Sequence, residues 1–119
     1  MKKRKRSMLR SFGCAAEGIV TGIREERNMK IHCAAAVLVT VLGAFAGLTR
    51  MEWCICLILC GMVLALELMN TALEAVTDLV TEEWRPLAKK AKDLAAGAVL
   101  MGAVTAAAAG CVIFIPHFL

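Results

Sequence analysis

A chain of 119 residues has room for one domain at most. With 60% hydrophobic residues, 20% charged residues and a mean hydropathy of +0.70, it is more apolar than an ordinary soluble domain and points to lipid. The composition excludes a disordered chain, a collagen and a disulfide-stapled secreted mini-protein. Aromatic residues make up only 5%, too few for base-stacking platforms, so nucleic acid is not an expected partner.

Residues 1–7 form a basic tail carrying Lys2, Lys3, Arg4, Lys5 and Arg6. No apolar stretch follows it before Ile31, so the N-terminus is read as a retained tail and not a signal peptide. From about residue 8 to 26 the apolar residues Leu9, Phe12, Ala16, Ile19, Val20 and Ile23 share one helical face. This spacing predicts an amphipathic surface helix on the inner leaflet, helped by its basic flank.

Three spans follow, at about residues 31–49, 53–80 and 91–118. Each approaches the roughly 20 apolar residues needed to cross a core of about 30 Å. The second reaches that length only with Glu67 inside the membrane. Nine of the 14 basic residues lie in the first 30 positions and four more are Arg85, Lys89, Lys90 and Lys92, while Arg50 stands alone between the first two spans. Excess positive charge marks the cytoplasmic side, so both termini are oriented by it: N-terminus cytoplasmic, C-terminus outside, in a multi-pass bacterial cell-membrane protein. Trp53 and Trp84 then fall at opposite interfaces. Gly43 and Gly47 form a GxxxG, and Ala98, Gly102, Ala106 and Gly110 recur every four residues, as helices packed closely in lipid require.

The second span carries the chemistry. At about 100° per residue, with Glu67 at zero, Asn70 lies near −60°, Thr71 near +40°, Glu74 near −20° and Asp78 near +20°. All five share one face, while Leu66, Leu68, Met69, Leu73 and Val76 cover most of the rest. A carboxylate at the bilayer centre costs about 2.5–3.5 kcal/mol or more, so this ridge faces protein, ions or water, not acyl chains. An interhelical hydrogen-bond seam could use Asn70 alone, but two carboxylates make poor glue without a positive group between them. Glu25, Glu26, Glu82, Glu83, Arg85, Lys89, Lys90, Lys92 and Asp93 converge at the same inner interface. Carboxylates and lysines there suit a divalent cation with phosphates.

Other chemistries are absent from the sequence. There is no GxxxxGK[ST], GxGxxG, HExxH or GxSxG, and His32 and His117 stand isolated, as interfacial polar residues do. Most of the six cysteines lie in or beside apolar runs without a zinc spacing and read as small hydrophobes.

The run Glu67-Leu68-Met69-Asn70-Thr71-Ala72-Leu73-Glu74-Ala75-Val76-Thr77-Asp78, followed by Ala91-Lys92-Asp93-Leu94-Ala95-Ala96-Gly97-Ala98-Val99, resembles the small integral-membrane lipid kinases of bacteria, the prokaryotic diacylglycerol and undecaprenol kinases. The resemblance covers roughly residues 12–104. Glu25-Glu26-Arg27-Asn28-Met29-Lys30-Ile31-His32 looks closest to the Gram-positive undecaprenol kinase branch.

That resemblance implies an all-α protein: a homotrimeric bundle of three-span protomers with N-terminal surface helices and shared active sites. It implies ATP-dependent phosphorylation of a membrane lipid alcohol, undecaprenol before diacylglycerol, with Mg²⁺. By likeness, Glu67 is the catalytic base. Glu26 and Glu74 hold Mg²⁺ with ATP, Asn70 supports the phosphates, and Lys92 and Asp93 contact the nucleotide. Glu83 and Arg85 lie where the loop approaches adenosine. Arg85 replaces a histidine usual in the family, and Cys14 replaces a tyrosine that proteobacterial members have near the nucleotide; both departures bear on adenine contacts and not on phosphate chemistry. From the residues alone, a small oligomeric proton-coupled transporter using Glu67 or Glu74 stays open as a rival, as does a purely structural or pore-forming membrane peptide.

Overall fold

The computed structural model describes residues 7–119; Lys2 to Arg6 of the expected basic tail lie outside the described residues. Four helices follow in order: α1 Met8–Glu25, α2 Arg27–Ala46, α3 Arg50–Val80 and α4 Pro86–Phe118. No strand occurs among the described residues. Three of the helices, α2, α3 and α4, are long and apolar enough to cross a membrane.

Local chemistry sets each boundary. The hydroxyl of Ser7 accepts a hydrogen bond from the Arg10 N–H at 3.2 Å and starts α1. Glu26 alone, extended at φ −103° and ψ 122°, separates α1 from α2. The second helix thus begins four residues before the expected Ile31, because nothing in Arg27-Asn28-Met29-Lys30 breaks a helix and Met29 is buried. Gly47 ends α2 in the left-handed region, φ +70°, where a side chain would be strained. The first GxxxG therefore divides: Gly43 packs, while Gly47 turns the chain. Thr49 and Glu52 then cap α3 reciprocally, with the Thr49 hydroxyl accepting from the Glu52 N–H and Glu52 Oε1 from the Thr49 N–H at 2.9 Å. The loop to α4 is short, and Pro86 opens α4 at a position where its missing N–H is harmless.

Helices α3 and α4 form an antiparallel hairpin joined near both ends. At one end His117 Nε2 meets Glu52 Oε1 at 3.0 Å, and at the other the Lys92 ammonium donates to Asp78 Oδ1 at 2.7 Å. These contacts are 26 residues apart on α3 and 25 on α4, so the two helices run in matched register. At the Glu52 end, Leu48, Cys56 and Ile113 form a core with Val39, Ala46, Trp53 and Phe114 packed on it. Cys56 thus behaves as the small hydrophobe its setting predicts. Large apolar residues elsewhere on these helices, such as Leu57, Ile58, Leu100 and Val112, point outward. At 31 and 33 residues, α3 and α4 are about 46 and 50 Å long, well beyond a core of about 30 Å.

Small residues let the helices close on one another at some expected places and not others. A Cβ on Gly102 would come within 2.7 Å of Leu66 Cδ1, whereas one on Gly110 would meet nothing within 4 Å. A Cβ on Gly43 would lie 2.7 Å from the Trp53 ring and 2.9 Å from Leu48 Cδ1. Trp53, expected at an interface, is therefore also a packing residue. Gly43→Val is expected to destabilise the protein by about 1–3 kcal/mol through overpacking, seen as a lower Tm in detergent with altered tryptophan emission.

Candidate active site

The acidic ridge is turned into the protein. Glu67 is 2% exposed and Asn70 7%, and they are the two buried polar residues of the described chain. Their neighbours make this burial possible. Leu68 of α3 presses on Gly22 at the end of α1, where a Cβ would fall 2.6 Å from Leu68 Cδ2. On the α4 side Gly102 admits Leu66. The α1–α2 joint at Glu26 and the α4 surface thus enclose the stretch of α3 that carries the acids.

Within the ridge, Asn70 Nδ2 donates to Glu74 Oε1 at 3.4 Å, one helical turn away. Two buried oxygens have no hydrogen-bond partner, Glu67 Oε2 and Asn70 Oδ1. Buried polar atoms are nearly always paired, and an unpaired one costs about 1–3 kcal/mol. Two orphans one turn apart, next to a half-buried carboxylate, mark a place built to meet something else. Glu67 and Glu74 are about 10 Å apart along the helix axis.

A second cluster lies where α3 leaves for α4. Glu83, Arg85, Lys92 and Asp93 line one open cleft of about 300 Å³ together with Asp78 and Trp84. Arg85 donates to Glu83 Oε2 at 3.0 Å, Lys89 pairs with Asp93, and Lys92 is held by Asp78. Each of these cations already has an acidic partner, so an incoming anion would have to draw Lys92 away from Asp78. Exposed pairs of this kind hold by only about 1 kcal/mol or less, so the exchange is easy. Asp78 was placed on the polar face by its spacing, but its grip on Lys92 across the hairpin was not visible in sequence. Cys14 is exposed on α1 and does not line this cleft.

Glu26 is half-buried at the α1–α2 joint and its side chain does not cap α2. Among the described residues, no three His, Cys, Asp or Glu side chains gather where they could hold a metal ion by themselves. Magnesium does not need such a cage. It commonly takes one or two carboxylates and completes its shell with substrate phosphates and water. The donors here, Glu74 with the unpaired Asn70 Oδ1 beside it, are all hard oxygen and fit that ion.

One member of the site escaped the sequence reading. His32, on α2, places Nε2 3.7 Å from Glu67 Oε2. Isolated in sequence, it is not isolated in space. Its signal would have been the position of Ile31-His32 near the start of a span, level with the carboxylate on the neighbouring helix.

The chain matches the prokaryotic diacylglycerol kinase family over residues 13–114. It is 46% identical over 107 residues to an undecaprenol kinase of Bacillus subtilis, covering 90% of this chain and 87% of that protein. It is 37% identical to a diacylglycerol kinase of a Synechocystis species, covering 95% of this chain and 65% of that one. A diacylglycerol kinase of Helicobacter pylori is 31% identical over 74% of this chain and 69% of its own length.

Proposed function

Because this chain belongs to the prokaryotic diacylglycerol kinase family and is a membrane lipid kinase, we propose that it transfers the γ-phosphoryl group of ATP to undecaprenol at the cytoplasmic face of the membrane. The observation that carries this is the inward-facing ridge of α3. It sets a buried carboxylate with an unpaired oxygen, Glu67, about two turns from the half-buried Glu74. The choice of undecaprenol over diacylglycerol is supported by the likeness to the Bacillus undecaprenol kinase, which runs nearly the full length of both chains.

The ordering suits the two substrates. A lipid alcohol arrives within the bilayer with its hydroxyl near headgroup level, and ATP arrives from the cytosol. In this reading Glu67 accepts the hydroxyl proton as the oxygen attacks the γ-phosphorus and the bond from that phosphorus to the β,γ-bridging oxygen breaks, releasing ADP, and the Asn70 amide holds phosphate oxygens. Lys92 leaves Asp78 to neutralise the phosphate tail as a point charge. Glu83, Arg85 and Asp93 line the cleft beyond it, where the nucleoside rests. Glu74, with Glu26, would hold Mg²⁺, which supplies charge neutralisation across the phosphates when bound. Phosphoryl transfer asks mainly for positioning and electrostatic stabilisation, which this set provides without a covalent intermediate.

The surface placement of α1 belongs to the same reading. Its exposed Leu9, Phe12 and Ile19 enter the inner leaflet, with the N-terminus cytoplasmic and the C-terminus outside. The assembly is a homotrimer. Its support is membership of the family, whose resemblance implies trimers with shared active sites.

Purified protein with labelled ATP, Mg²⁺ and either undecaprenol or diacylglycerol tests the assignment. Label is expected on undecaprenol with the higher kcat/KM. Faster label on diacylglycerol would reassign the acceptor, and label on neither lipid, with proton flux in vesicles, would remove the kinase reading altogether.

A further inference from the structure

Glu67 is the most deeply buried charged side chain of the described residues, and its buried Oε2 has no hydrogen-bond donor. That oxygen, Oε2, is the one that His32 faces. The imidazole comes from α2, is itself largely covered with 20% of its side-chain surface exposed, and is the one basic group within ion-pair distance of Glu67 among the described residues. Apolar contacts flank Glu67 on α3. Leu68 sits on Gly22 of α1, and Leu66 and Val63 face Gly102 of α4.

We propose that His32 is a positioning residue for the transfer: its Nε2–H holds Glu67 Oε2 and leaves Oε1 free to take the lipid hydroxyl proton. The inference rests on Glu67 being the base. At 3.7 Å the contact is longer than a hydrogen bond. Catalytic hydrogen bonds are commonly long without substrate and tighten in the reacting complex. A carboxylate that can rotate freely presents its lone pair to the hydroxyl only part of the time. Fixing one oxygen removes that freedom, and the histidine does so with no proton of its own transferred. It also explains why the single histidine on α2 lies level with an acid on α3.

The test uses two polar replacements in the full-length protein, assayed in bilayers with labelled MgATP and undecaprenol. His32→Asn is too short to reach Oε2, whereas His32→Gln extends an amide donor to about the same depth. His32→Asn is expected to lower kcat roughly 10- to 100-fold, the loss that a small misplacement of a reacting group produces. Its KM for MgATP should stay within about twofold, and His32→Gln should recover much of the loss. Adding His32→Asn to Glu67→Gln should lower turnover no further, because the two side chains act as one unit. Wild-type kcat in His32→Asn, or a loss confined to KM for MgATP, would overturn the proposal. Should Glu67→Gln itself turn over normally, the base reading fails, and that outcome is distinct from a failure at His32 alone.

Discussion

Glu67→Gln is expected to lower kcat by about 10²- to 10⁴-fold while leaving nucleotide binding within about threefold of normal. The substitution keeps the volume and one carbonyl oxygen and removes the ability to take a proton. Nucleotide binding should survive because most of the groups proposed to hold the metal and the phosphate tail lie elsewhere: Glu74 is about 10 Å along the axis, and Lys92 and Asp93 are on α4. A second result should accompany the first. A buried carboxylate with an unpaired oxygen weighs against the fold, and its neutral isostere removes that burden. The Gln variant is therefore expected to melt at the same temperature as the parent or above it. Calorimetric titration with ATP, single-turnover transfer and a thermal melt in the same detergent check all three. Loss of ATP binding would make Glu67 a ligand; a fall in Tm would make it a structural residue.

How far this site could be read without coordinates depended on whether one helix or two carried the information. The ridge Glu67, Asn70, Thr71, Glu74 and Asp78 lies on a single helix, so 100° per residue was enough to align it, and burial of Glu67 and Asn70 follows. Pairings between helices left no such trace. Nothing in the spacing joins His32 to Glu67, Lys92 to Asp78 or His117 to Glu52, because each depends on the register of two packed helices. Helix ends fell between these cases. Thr49-Arg50-Met51-Glu52 is a capping box and Pro86 a helix opener, both present in the sequence. Hydropathy alone placed the helices later, at Trp53 and Ala91, since it reports where lipid begins and not where the backbone starts to coil. Gly47 shows the opposite error: a glycine spaced for packing is used for its φ.

Glu74→Gln is the second large effect, and it separates metal binding from structure. In the protein Glu74 Oε1 accepts a weak hydrogen bond from Asn70 at 3.4 Å, which a glutamine carbonyl oxygen keeps. Folding should be undisturbed, and what changes is one negative charge beside the orphaned Asn70 Oδ1. If that charge holds Mg²⁺ against the ATP phosphates, its loss removes electrostatic stabilisation where charge develops in the transition state. A single lost contact of that kind is worth about 10²- to 10³-fold. The expected result is a drop of that size in kcat/KM for MgATP, with the half-saturating Mg²⁺ concentration moved upward and activity partly restored by excess Mg²⁺. Glu26→Gln should move the Mg²⁺ dependence in the same direction, as the other acid expected to share the ion. Asp78→Asn, which only frees Lys92 from an exposed partner, should leave the Mg²⁺ dependence alone. An unshifted Mg²⁺ titration in Glu74→Gln would take the metal away from this end of α3 and leave the ridge with Glu67 as its sole reacting group.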